Sequence, residues 1–227
     1  MATCSLVLCI DRLASGASFA LTEARPRAFY VAEGAAHIDD HRPGGAALSA
    51  NSAAYVDTSA VVSSTAGAVI LRWEVLPEGT AAACPSCEGV ESREVIGAPV
   101  QLSGTDVLLR CDRVDFPPGG VAYLHTHQGP GIRCLLKGTI QIQTEGRTHD
   151  IAPYGAWFES GPAPVLALAS KHEETAFARV MLLPTALKGK SSIAYVNEED
   201  RAKPKSQTYQ VFLDQPFDLP RSVDALR

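Results

Sequence analysis

Apolar residues along this chain come in short blocks separated by turn-forming residues. Ser5-Leu-Val-Leu-Cys-Ile10 is apolar and β-prone, and Ser15-Gly16 turns the chain. Arg27-Ala-Phe-Tyr-Val-Ala-Glu-Gly34 predicts a strand ending in glycine, and Ala54-Tyr-Val56 and Ala68-Val-Ile-Leu-Arg-Trp-Glu-Val-Leu76 predict two more. Helical periodicity is poor throughout. Short strands with Gly, Pro, Asn and Ser between them predict an all-β fold, a sandwich or a barrel.

The pattern then repeats over residues 105–184. Cys9-Ile-Asp11 corresponds to Cys111-Asp112, Phe29-Tyr-Val-Ala-Glu-Gly34 to Arg133-Cys-Leu-Leu-Lys-Gly138, and Arg72 before Pro77 to Arg179 before Pro184. The offset is 101 residues at the first landmark, 104 at the second and 107 at the third. A nearly constant offset is the mark of a duplicated architecture. It predicts two β-barrel units, residues 1–77 and 105–184. Residues 78–104, with Pro77-Glu-Gly79, Cys84-Pro85 and Gly97-Ala-Pro99, are expected to be a loop-rich linker. Residues 185–227 are expected to form a C-terminal arm with a strand over Thr208-Tyr-Gln-Val-Phe-Leu213. The arm is read as crossing to the other barrel or to another subunit, as in a homodimer.

The two units differ in one stretch. Gly119-Gly-Val-Ala-Tyr-Leu-His-Thr-His-Gln-Gly-Pro-Gly131 predicts strand, tight loop, strand, with His125 and His127 at the end of the first strand. Residues two apart in a strand share a face, so the imidazoles lie about 6–7 Å apart and can turn toward one metal ion. The first unit has no such pair. His37 and His41 fall in the polar stretch His37-Ile-Asp-Asp-His-Arg42, read as a solvated hairpin tip.

Gly119, His125, His127 and Gly138 stand at the spacing of the first motif of the cupin superfamily, which this chain resembles. The motif's glutamate, a metal ligand in the family, falls here on Gly131. The second motif is weaker: around Gly155 and Gly161, Pro164 falls where the family has its third histidine. The resemblance implies two tandem cupin-like double-stranded β-helix (jelly-roll) barrels, a bicupin arrangement. It also implies one divalent metal ion (Fe, Mn, Ni or Zn) in the C-terminal barrel, acting as a Lewis acid or as the place where oxygen binds. The implied activities are those of a dioxygenase, decarboxylase, isomerase or lyase acting on a small oxygen-rich or anionic molecule. A non-catalytic barrel that binds or senses a small molecule is the rival reading, favoured by the incomplete ligand set.

Two imidazoles alone hold a metal weakly, and iron sites often add a carboxylate. Strand alternation puts Trp157 and Glu159 on one face, which makes Glu159 the expected third ligand. It is read either as a buried carboxylate that needs a metal, an arginine or hydrogen bonds, or as a rim residue in water. His149 and His172, in turn-rich stretches, are weaker candidates. Arg133 stands two residues after Gly131. Inward, it would pair with Glu159 or anchor an anionic substrate; outward, it would do neither. Tyr123 precedes His125 by two and should share its face, as a proton donor or as packing. Gln128 and Trp157 complete the expected substrate contacts.

Composition narrows the partners. The net charge is −5, and no basic run is longer than the short Lys203-Pro-Lys205, which argues against nucleic acid. No apolar stretch approaches the roughly 20 residues that span a membrane, and Asp11 interrupts an N-terminus without a cationic start. Six cysteines are too sparse for a disulfide scaffold, so a reducing, cytoplasmic setting is expected. Cys84-Pro-Ser-Cys87 is a lone pair, read as half a zinc site, a redox pair or an incidental spacing. No nucleophile elbow or phosphate loop is present.

Overall fold

The computed structural model describes residues 2–220, and it is almost entirely β. Two compact units divide it: one ends at Thr105 and takes in Phe217 again, and the other spans Asp106–Pro216. Among the described residues no helix is long and apolar enough to cross a membrane.

The first unit contains nine strands: β1 (Ala2–Leu13), β2 (Ser18–Leu21), β3 (Arg27–Asp39), β4 (Ala46–Ser49), β5 (Ser52–Val56), β6 (Ala60–Ser63), β7 (Ala68–Leu76), β8 (Ser86–Cys87) and β9 (Val90–Leu102). They pair in the order β2-β6-β3-β7-β1-β9-β8, with β4 and β5 also on β3. Leu13, Phe19, Leu21, Phe29, Val31, Ile38, Val62 and Ile70 form the core. β3 does not end at Gly34 as expected. It takes the left-handed conformation there and continues to Asp39.

The expected linker is largely strand. β9 pairs antiparallel with β1 from Leu13↔Val90 to Ala2↔Leu102. Its Ala98, Val100 and Leu102 are buried at alternate positions. Pro99 is tolerated because β8 pairs only with Val90 and Glu91, leaving the rest of that side of β9 without a strand partner among the described residues.

The second unit is a pair of five-stranded antiparallel sheets. One runs β15 (Ala156–Glu159), β12 (Gly131–Lys137), β17 (Thr175–Pro184), β10 (Val107–Phe116), β19 (Thr208–Phe217). The other runs β14 (Arg147–Ile151), β13 (Ile140–Thr144), β16 (Val165–Ala169), β11 (Val121–His127), β18 (Ile193–Tyr195). The core lies between them: Val114, Phe116, Leu135, Trp157 and Phe177 from the first meet Ile140, Ile142 and Val165 from the second. The described residues of the expected arm contribute the last strand of each of these sheets and one short helix, α1 (Glu198–Ala202).

The repeat landmarks turn out to be partners. Asp11 of β1 accepts two hydrogen bonds from Arg72 of β7, at 2.7 and 3.0 Å. Asp112 of β10 accepts two from Arg179 of β17, at 2.6 and 3.1 Å. All four side chains are buried. Each unit thus ties a central strand pair with a bidentate carboxylate–guanidinium clasp. In the first unit Glu74 and Arg27 join the clasp, Glu74 touching Arg72 Nη1 and lying 3.4 Å from Arg27 Nε.

Candidate metal centre

β11 carries His125 and His127 along the edge covered by β18, with His125 opposite Tyr195 and His127 opposite Ile193. Both imidazoles point inward and are buried. Their Nε2 atoms lie 3.2 Å apart, and the rings meet edge to face. Glu159 Oε2 lies 3.5 Å from His127 Nε2. Ligand atoms of the three residues fall within 4.8 Å of one another.

Each group is oriented by a neighbour. His125 Nδ1 donates to the Tyr123 carbonyl at 2.7 Å, which fixes its tautomer and leaves Nε2 as a bare lone pair. His127 Nδ1 is 3.2 Å from Ser192 Oγ of the arm. Burial, the main effect, lowers both imidazole pKa values; for His127 the Arg133 and Arg179 charges act in the same direction. Trp157 Nε1 donates to Glu159 Oε1 at 2.8 Å. Arg133, fully buried, donates from Nη1 to the Gly131 carbonyl at 2.7 Å. Its Nη2 stands 2.6 Å from Glu159 Oε2, yet the angles leave both atoms outside hydrogen-bond geometry. Burial pushes the Arg133 guanidinium down to about 10, against the opposing pull of Glu159.

The donor set suits a divalent transition metal. Two neutral imidazoles and a carboxylate are the ligands such ions use, at roughly 2.0–2.2 Å. Ligand atoms at that distance from one ion stand about 3 Å apart, close to the 3.2 Å between the imidazoles. Two imidazole Nε2 atoms facing each other, beside a carboxylate oxygen with no aligned donor, form an arrangement that a cation can bridge.

The cavity between these groups is about 20 Å³, room for one water or one ion. Phe116, Phe177, Ile142 and Trp157 line its apolar end, and Arg179, Ile193 and Tyr209 line the other.

The structure therefore brings His125, His127, Glu159, Arg133 and Trp157 together. It does not bring Tyr123. A bulge in the pairing of β11 with β16 falls between Ala122 and His125, so Ala122 faces inward and Tyr123 leaves the histidines' face. Its ring lies instead under the ammonium groups of Lys203 and Lys205, at 5.1 and 5.2 Å. Gln128 is exposed in the loop after β11 and does not line the cavity. His149 and His172 are exposed, and Cys84 and Cys87 are free, exposed thiols. The sequence reading passed over Ser192, Ile193 and Tyr209, which come from the arm. It treated Asp112 and Arg179 as landmarks only, although their inward alternation with Val114 and Phe177 was available as a signal.

Gly131 is more than a missing ligand. A Cβ there would stand 2.5 Å from the Val180 carbonyl oxygen and 2.8 Å from Met181 Cγ. Gly131→Glu should therefore destabilise the protein by about 1–3 kcal/mol without tightening metal binding. Thermal unfolding and metal titration of this variant check both halves; a tighter, stable variant would show that the strand relaxes.

No family model matches the chain, and no curated protein matches it. Solved structures do. The chain is similar to AerE from Microcystis aeruginosa, at 13% identity over 78% of this chain and 88% of that one, with a TM-score of 0.60. It is similar to the oxalate decarboxylase of Bacillus subtilis, a protein with Mn(II) centres, at 12% identity over 87% and 73%, with a TM-score of 0.63. A salicylate 1,2-dioxygenase from Pseudaminobacter salicylatoxidans is similar at 9% identity over 78% and 70%, with a TM-score of 0.52. At these identities the likeness shows the fold alone: an all-β fold of the kind the cupin resemblance implies, in two compact units.

Proposed function

We propose that the C-terminal unit holds one divalent metal ion through His125, His127 and Glu159. We further propose that the chain is a metal-dependent cupin enzyme acting on a small anionic or oxygen-rich molecule, in the dioxygenase, decarboxylase, isomerase or lyase range. One observation carries this reading: two buried imidazole Nε2 atoms and a buried carboxylate converge within 4.8 Å on a cavity sized for one ion. The fold shared with an oxalate decarboxylase and a salicylate dioxygenase supports the range of chemistry.

When bound, the ion would supply Lewis-acid or redox chemistry. The chain's own residues set the stage. The Tyr123 carbonyl and Ser192 aim the imidazoles, Trp157 and Arg133 hold Glu159 in place, and Ile193 and Tyr209 border the cavity from the arm.

A non-catalytic small-molecule-binding barrel is the second reading. It draws on the close approach of Arg133 to Glu159 Oε2, an ion pair that neutralises the carboxylate without a metal.

Metal content separates the two. Protein purified without chelator and supplied with Fe, Mn, Ni or Zn should carry about one ion per chain by elemental analysis. Trp157→Phe, which removes the hydrogen bond to Glu159 Oε1, should weaken that binding about 10–100-fold. Absence of stoichiometric metal under every supply would leave the passive barrel as the better reading.

A further inference from the structure

A second cavity, of about 410 Å³, lies against the first within the C-terminal unit. The two share Arg179, Ile193 and Tyr209 as a common wall. The outer cavity is made largely by the arm, which provides Lys190, Tyr195, Lys205, Gln207, Tyr209 and Val211. Its volume is that of a small-molecule site.

We infer that this cavity binds a small organic anion, a carboxylate carried on an apolar body, and that it is the vestibule through which substrate approaches the histidines. Calling the ligand a substrate rests on the metal-enzyme reading above; the binding itself does not.

The charges in the wall decide the ligand's sign. Arg110 is already matched, donating to Asp214 at 3.0 and 2.9 Å and to the carbonyls of Lys190 and Leu187. Arg179 is matched by Asp112. Two ammonium groups remain. Lys205 donates to the Asp200 carbonyl and lies over the faces of Tyr195 and Tyr123, at 4.0 and 5.2 Å, while the nearby Asp200 carboxylate is paired with Lys203 and lies outside ion-pair distance of Lys205. Lys190 has no carboxylate within ion-pair distance among the described residues. The lining thus carries an excess of two positive charges in a chain whose net charge is −5. A cleft of one sign concentrates ligands of the other.

A buried amide also lacks a partner in this cavity. Gln207 is 6% exposed; its Nε2 donates to the Tyr209 hydroxyl at 3.1 Å, and its Oε1 has no hydrogen-bond partner. With the amide's oxygen and nitrogen exchanged, the unmet group is an NH2 that donates to a carboxylate. The rest of the wall, Ile193, Tyr195, Tyr209 and Val211, is apolar or aromatic and would pack the ligand's body.

Isothermal titration of the full chain with benzoate tests this, with benzyl alcohol as the uncharged counterpart and inorganic phosphate as charge without body. Benzoate should bind one to one. The other two should bind at least roughly tenfold more weakly. Lys190→Gln/Lys205→Gln should weaken benzoate roughly tenfold or more. Because Lys205 also braces the arm, Val211→Asp provides a second variant: it places a carboxylate on an exposed wall position and should weaken benzoate without disturbing packing. His125→Ala/His127→Ala, and chelator-treated protein, should bind benzoate as the unmodified protein does. No saturable benzoate binding, equal binding of phosphate, or indifference to both lysine and Val211 variants overturns the inference. So does loss of benzoate binding in the double histidine variant, which would place the anion at the histidines instead. Metal without benzoate binding sinks the vestibule alone; benzoate binding without metal sinks the metal reading alone.

Discussion

His125→Ala/His127→Ala is expected to abolish metal binding, from about one ion per chain to a trace, while the β fold survives. The double variant removes two of the three converging ligands and leaves Glu159 to Arg133 and Trp157, its partners at 2.6 and 2.8 Å. A single carboxylate already paired with a guanidinium does not hold a transition metal. The fold should persist because the histidines pack at one end of the barrel, whereas the core of Val114, Phe116, Leu135, Ile140, Ile142 and Phe177 lies beyond them. Elemental analysis and circular dichroism of the same preparation check both statements. Unchanged metal in the folded double variant would place the ion elsewhere; lost metal with lost fold would be resolved by Glu159→Gln, which keeps volume and both imidazoles.

Arg72→Met is expected to destabilise the first unit by about 3–5 kcal/mol, the cost of leaving a buried charge without its partner. Arg72, Asp11 and Glu74 are each fully buried, and Arg72 is the group that touches both carboxylates. Met fills much of the volume, so the loss reports charge rather than a cavity. Arg72→Lys should recover little, because an ammonium cannot make the two parallel hydrogen bonds to Asp11. The chain offers a clean reporter: its two tryptophans are Trp73 and Trp157, one in each unit. In a Trp157→Phe background, urea unfolding followed by Trp73 emission reads the first unit alone. A loss below about 1 kcal/mol would mean that water reaches Asp11 and Glu74 readily.

Period-two alternation between turn residues was enough to read the all-β fold class, because alternation follows from strand geometry alone. The inward placement of His125, His127, Trp157 and Glu159 is what alternation predicts within β11 and β15. Alternation failed where a strand is irregular. The bulge after Ala122 turned Tyr123 away, and nothing in Val-Ala-Tyr-Leu announces it. Pro99 and Gly97 made β9 look like loop, since a proline is a breaker only if its edge must be paired. The arm's part in the site was hidden for another reason. Ser192, Ile193, Gln207 and Tyr209 lie far along the chain from the histidines, and no local pattern marks a long-range covering.

The arm's position also sets an order of events during synthesis. The strands of the first sheet have all been made once Leu102 is added, but the second unit lacks β18 until Tyr195 and β19 until Phe217. At ribosomal speeds of about 5–20 residues per second, the interval is on the order of 10 s. For the part of it between His127 and Ile193, β11 with its two histidines exists while β18 and β19 do not. A centre that β18 and β19 cover in the finished protein is therefore an open cleft on the nascent chain, exposed to whatever ions the surrounding solution contains.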